Sequence, residues 1–169
     1  MNRWFDVFET EAGWMGLVIT EKGVRSGTMA LSSPDQCIME LGHELDGAEQ
    51  SSRHLAKLRS RIQQYFAGKR TDFSDVVLDL EDAGPFQRAA WEATRTIPWG
   101  ETRSYQWIAA YAGKPRAPRA AGQAMSRNRI PIIVPCHRVI ASDGRLGGYG
   151  GGASGLALKR RLLSMEGAV

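Results

Sequence analysis

The chain has 169 residues, 43% hydrophobic and 24% charged, with a formal net charge of +4 and a pI near 9.3. That composition excludes a disordered or collagen-like chain and fits an ordinary globular protein of one domain or two small ones. No apolar run approaches the length of a membrane span, no signal-peptide pattern is present, and Cys37 and Cys136 have no paired spacing. This argues against a disulfide framework, and a reducing, cytoplasmic setting with no membrane partner is expected.

Residues 3 to 30 alternate in part and are rich in apolar and β-branched side chains, with Gly13 and Gly23 at turn positions. They predict two or three antiparallel strands. Ser33-Pro34-Asp35 is a helix start, and Ile38, Leu41 and Leu45 share one face of a helix over 34–45. Residues 46–52 are a polar break. Leu55, Leu58, Ile62, Tyr65 and Phe66 recur at helical spacing and stop at Gly68. A short apolar run at Val76–Leu80 predicts one more strand. A domain boundary follows, giving an α/β domain over 1–82 and a mainly helical one over 83–169.

In the second part, Phe86–Thr96 is an amphipathic helix closed by Pro98 and Gly100. Ser104 caps a helix over Tyr105–Ala112 that stops at Gly113. After the turn Lys114-Pro115-Arg116, a second helix covers Ala117–Arg127. Two short helices around a tight turn make a helix-turn-helix candidate, although helix hairpins are also common packing units. Residues 130–140 are apolar and proline-punctuated, as in a buried extended segment or loop. Residues 144–155 hold seven glycines in twelve positions, and a last helix runs from Gly155 to Met165.

Between Arg95 and Arg138 the chain is strongly basic, with Glu101 the single acid. Such a stretch suits a polyanion, and equally a solvated basic face. Within it stands Pro135-Cys136-His137-Arg138. A cysteine reacts as its thiolate, so its surroundings must lower its pKa or remove its proton. His137 and Arg138 both favour nearby negative charge, and Ile132, Ile133, Val134, Val139 and Ile140 would keep the thiol dry. From the Cys-His dipeptide alone, a buried structural cysteine beside a surface His-Arg pair is the better reading, since free cysteines are usually small core residues.

The wider run Ile133–Ile140 resembles the signature of the O6-alkylguanine-DNA alkyltransferase family. Ser104-Tyr105-Gln106, Arg119-Ala120-Ala121-Gly122, Asn128 and Met165-Glu166-Gly167 fall in that family's order and approximate spacing, so the resemblance spans residues 85–167. It implies an RNase H-like N-terminal domain, then a helical domain whose helix-turn-helix enters the minor groove. It implies direct, single-use transfer of an alkyl group from O6-alkylguanine in duplex DNA to Cys136, with O4-alkylthymine left open as a second substrate. No cofactor is implied, and the chain is expected to act as a monomer, with cooperativity on DNA open.

The resemblance also implies roles. Cys136 is the nucleophile, His137 takes its proton through a water, and Glu166 orients His137. Asn128 bridges the recognition helix to the active-site turn. Arg119 takes the place of the extruded nucleotide, while Ser104, Ala120 and Gly122 lie at the DNA. Tyr105 contacts the flipped base and assists its departure. Val139, Tyr149 and Gly150 line the base pocket. The chain departs from the family pattern after Tyr149, where GGGASG is longer than usual. That departure suggests a pocket open to bulkier alkyl groups. Some members bind zinc, but Cys37, His43 and His54 do not reproduce that ligand set, so no metal is expected.

Overall fold

Alternation in the first thirty residues becomes a three-stranded meander in the computed structural model, which describes residues 1–149 and 152–169, the side chains of 152–154 excepted. Contacts divide the chain into two units, residues 1–81 with 129–131, and residues 82–128 with 132–169.

In the first unit, β1 (Arg3–Thr10), β2 (Gly13–Thr20) and β3 (Gly23–Gly27) pair antiparallel across two-residue turns. Glycine is required at 23, where φ is +137° and a Cβ would lie 2.5 Å from the Val77 carbonyl oxygen. Ser33 caps α1 (Pro34–Leu41) by accepting from the Gln36 amide. Cys37 and Leu41 are the buried positions of this helix. Gly16 lets Leu41 approach β2, since a Cβ there would stand 2.8 Å from the leucine methyl. The helix is shorter than the predicted 34–45: Gly42 takes φ +51°, and residues 42–45 tighten into a 3₁₀ turn.

Two further departures concern short strands. β4 (Ala48–Gln50) pairs parallel with β1 inside the stretch read as a polar break, giving the sheet order β3-β2-β1-β4. The run at 76–80 makes only a bridge from Val24 to Leu78. Asp79 accounts for this: it is buried and accepts the Thr20 hydroxyl at 2.7 Å. α2 (Ala56–Phe66) packs Ile62, Tyr65 and Phe66 inward, and Arg59 pairs with Asp6 of β1 at 3.0 Å. Residues 129–131 return to this unit. The Gly27 amide donates to the Arg129 carbonyl at 2.7 Å, and the Arg129 guanidinium donates to the Arg25 and Asp79 carbonyls.

The second unit contains α3 (Pro85–Arg95), β5 (Arg103–Ser104), α4 (Tyr105–Tyr111), α5 (Pro118–Ser126), β6 (Val139–Ile140) and α6 (Gly152–Met165). Buried Trp91 of α3 donates its indole N–H to the Ala124 carbonyl of α5 at 2.9 Å. The Ser104 hydroxyl accepts the Trp107 amide at 3.0 Å and so starts α4. β5 pairs parallel with β6, Arg103 opposite Val139 and Ser104 opposite Ile140, a pairing too short to leave a sequence pattern. Among the described residues no helix is long and apolar enough to cross a membrane.

Candidate active site

Residues 130–139 are buried without a break. The segment turns at Ile132, which takes φ +73°, a costly conformation for a β-branched side chain. Pro135 then leads into a 3₁₀ turn over Cys136–Arg138. The Asn128 amide group, just past the end of α5, donates to the Val134 carbonyl at 2.9 Å and to the Cys136 sulfur at 3.1 Å. One side chain therefore holds both the turn backbone and its thiol.

Cys136 is 7% exposed. Burial pushes its thiol pKa up, against a hydrogen bond from Asn128, the charge of Lys159 and a hydrogen bond from Tyr149. This corrects the expectation that His137 and Arg138 supply the charge that favours a thiolate. Both are buried and turned to Glu166, so neither forms a surface pair. His137 Nε2 bonds Glu166 Oε2 at 2.7 Å. Arg138 donates Nε to Oε1 at 2.7 Å and Nη2 to Oε2 at 3.1 Å, a two-pronged pairing, and Nη1 to the Ile97 carbonyl at 2.7 Å.

Burial works to raise the Glu166 carboxyl, but the hydrogen bonds of His137 and Arg138 and the guanidinium charge overcome it and hold the group to about 2. Burial lowers the His137 pKa against the pull of Glu166, leaving a neutral imidazole. With Nε2–H given to Glu166, the basic lone pair belongs to Nδ1. The arrangement can thus accept one proton and stabilise the resulting imidazolium.

The parallel β5–β6 pair sets the start of α4 beside the strand that follows the thiol. Tyr105 stands there, half-buried, and Gly122 of α5 faces it with room for a methyl group 3.9 Å from the ring. The Gly147 backbone also abuts Tyr105. Val139 is fully buried on β6. Arg119 is exposed and Ala120 half-exposed on the first turn of α5, so the structure does not draw them into the cluster around Cys136. Gly150 lies outside the described residues, as does part of the longer loop expected to widen the pocket.

Lys159 was not anticipated. It is fully buried, and its ammonium donates to the Val139 carbonyl at 2.7 Å, to the Leu146 carbonyl, to the Gly148 carbonyl at 3.2 Å and to the Tyr105 hydroxyl at 3.4 Å. A signal was present. The buried positions 155, 159, 162, 163 and 166 follow a helical stripe, and Lys159 and Glu166 occupy two of them. An apolar face drawn through the leucines alone would include Leu156 and Leu158, whereas both are only half-buried. The residues weighed for zinc are not brought together: Cys37 is buried beside Thr28, His43 faces solvent, and His54 stacks on Trp4.

The family described as the 6-O-methylguanine DNA methyltransferase DNA-binding domain matches residues 85–168. The constitutive methylated-DNA–protein-cysteine methyltransferase of Bacillus subtilis (strain 168) is 41% identical over 156 residues, covering 89% of this chain and 88% of that protein. That of Methanosarcina barkeri is 39% identical over 168 residues, covering 96% of each. Among solved structures, the Mycobacterium tuberculosis O6-methylguanine methyltransferase superposes with a TM-score of 0.78 at 36% identity, over 98% of this chain and 93% of that one. The same enzyme's structure in complex with DNA gives the same values. The buried thiol, its asparagine and the His-Glu-Arg array thus lie in a chain that belongs to the methylated-DNA–protein-cysteine methyltransferase family.

Proposed function

We propose that this chain repairs DNA by moving an alkyl group from O6 of guanine in duplex DNA to Cys136, once per molecule. The observation that carries this reading is the buried Cys136 thiol, bonded by Asn128 at 3.1 Å in the turn that presents His137 to Glu166. His137 removes the thiol proton through a water, and Glu166 with Arg138 stabilises the imidazolium. The thiolate attacks the alkyl carbon, the S–C bond forms as the C–O6 bond breaks, and guanine leaves as a neutral base by regaining one proton. Tyr105, at the edge of the pocket, assists that proton delivery. The product is a thioether, and among the described residues the site holds no group able to cleave it, so turnover ends there.

O6 lies inside the duplex, so the nucleotide must leave the stack at a cost of roughly a few kcal/mol. We read α4, its turn and α5 as a helix-turn-helix, with Arg119 filling the vacated space and Ser104, Ala120 and Gly122 at the backbone. The small side chains of α5 and its exposed Arg119 support a close minor-groove approach. The sheet order β3-β2-β1-β4, three antiparallel strands with a parallel one on the edge, supports an RNase H-like reading of the first unit as a structural domain. The second unit carries DNA binding and transfer, and the protein acts as a monomer on DNA.

The test is incubation with duplex DNA carrying labelled O6-methylguanine. One equivalent of label on Cys136, absent in Cys136→Ser, is expected. Binding without transfer, or repeated turnover, would overturn the proposal.

A further inference from the structure

Between Ser51 and Thr71 the chain carries six basic residues and no acid, a run that includes all of α2. Two of the six are neutralised within the first unit. Arg59 pairs with Asp6 at 3.0 Å and Arg61 with Asp75 at 2.8 Å. Arg53, Lys57, Lys69 and Arg70 are exposed, and none of them pairs with an acid among the described residues. Lys69 and Arg70 follow the C-terminal end of α2, where the helix dipole favours cations, so they have a structural reason. Arg53 and Lys57 stand at the opposite end. Arg53 lies in the turn that leads into α2, and Lys57 in a first turn with no acid and no capping side chain. Cations there oppose the dipole and weaken the helix. Lys57, Ser60 and Gln64 then follow one another at helical spacing on the exposed side, while Leu55, Ile62, Tyr65 and Phe66 are buried.

We propose that this face of the first unit, Arg53 and Lys57 with Ser60 and Gln64, is a contact for the phosphate backbone of duplex DNA, additional to the helix-turn-helix and independent of base sequence. It goes beyond the alkyl-transfer reading, which gives the first unit a structural role, and takes from that reading only the duplex. Cations without an acidic partner replace the counterions condensed on a duplex, and the release of those ions drives binding. Ser60 and Gln64, linked at 3.4 Å, stand on the same stripe and can donate to phosphate oxygens without reading bases. A membrane surface fits this face poorly. Adsorption there needs apolar side chains beside the cations, and Ile62, Tyr65 and Phe66 of α2 are turned into the core.

The experiment measures binding of the full chain to undamaged duplex DNA across a salt series. It compares wild type, Arg53→Gln/Lys57→Gln and, as a control of equal charge on the same helix, Lys69→Gln/Arg70→Gln. Loss of Arg53 and Lys57 should reduce the slope of log affinity against log salt by about 1.8, two phosphate contacts at about 0.9 each, and weaken binding about tenfold at low salt. The control pair should reduce the slope by less than about half as much. The exchange Arg53→Lys/Lys57→Arg keeps both charges and should bind as wild type does. An unchanged slope in Arg53→Gln/Lys57→Gln would overturn the proposal. So would an equal loss in the control pair, which would make the effect one of net charge alone, or a failure of the charge-keeping exchange to bind. If the wild type transfers nothing to Cys136, the alkyl-transfer reading fails, while the salt series on undamaged duplex still decides whether this face meets DNA.

Discussion

Glu166 bonds His137 Nε2 at 2.7 Å with both side chains withdrawn from water, although 29 residues separate them in sequence. Removing one partner of such a pair leaves the other buried and unsatisfied. Glu166→Gln should cost about 3–5 kcal/mol of stability and slow transfer by about 10²-fold or more. The pH dependence has a definite sign. The folded carboxyl is held to about 2, below its ordinary value of 4.5, so its stabilisation is complete above pH 4.5 and is lost as pH falls towards 2. Thermal melts should therefore show a gap between wild type and Glu166→Gln that is flat near neutrality and closes in acid. A gap that widened in acid would contradict this.

Asn128 donates twice, to the Val134 carbonyl and to the Cys136 sulfur. Asn128→Ala removes both bonds and should cost about 1–3 kcal/mol, with a slower transfer step. The same geometry predicts what happens after reaction. An alkyl group added to a sulfur 3.1 Å from the amide nitrogen must displace it in a close-packed site. The alkylated protein should melt several degrees below the free protein by calorimetry, and equal melting temperatures would count against this account.

Arg119 is exposed on α5 and outside the thiol cluster, so its contribution should depend on the duplex alone. Arg119→Ala is expected to slow repair of O6-methylguanine in duplex DNA by about 10–100-fold, the kinetic equivalent of a few kcal/mol of base extrusion. Its reaction with free O6-benzylguanine should match wild type. Equal losses on both substrates would show that the arginine supports the fold instead.

At Gly147 the backbone takes φ +71° and meets Tyr105. Gly147→Ala adds a methyl group 2.7 Å from the tyrosine hydroxyl and imposes strain of about 1–3 kcal/mol. The loop must yield or the ring must move. Slower transfer with intact duplex binding is the expected result, read from single-turnover kinetics and a binding isotherm. A wild-type rate would mean that the loop does not position Tyr105.

Much of this was legible in the sequence because local rules apply to it. Ser104 caps α4, Pro34 opens α1, and α3 and α5 fall within a residue or two of the predicted spans. The strands β4, β5 and β6 were not legible, since two or three residues carry no period and their pairing is decided by distant partners. Signature residues Asn128, Cys136, His137 and Glu166 were found through resemblance, and the structure joins them in two hydrogen-bonded pairs, Asn128 with Cys136 and His137 with Glu166. The charge logic at Cys136 was misread because Arg138 and His137 spend their polarity on a carboxylate far along the chain. Lys159 escaped because an apolar-stripe reading skips charged residues, although its position on that stripe was the clue.

That stripe has a practical consequence for anyone redesigning the protein for heat resistance. A procedure that fills buried helix positions with aliphatic side chains would select Lys159 first, since it is fully buried on a face otherwise shared with Leu162 and Leu163. The resulting helix would suit its core better and leave the Val139, Leu146 and Gly148 carbonyls without their shared donor. On α6, tighter packing of the stripe and a fully hydrogen-bonded loop compete for one and the same codon.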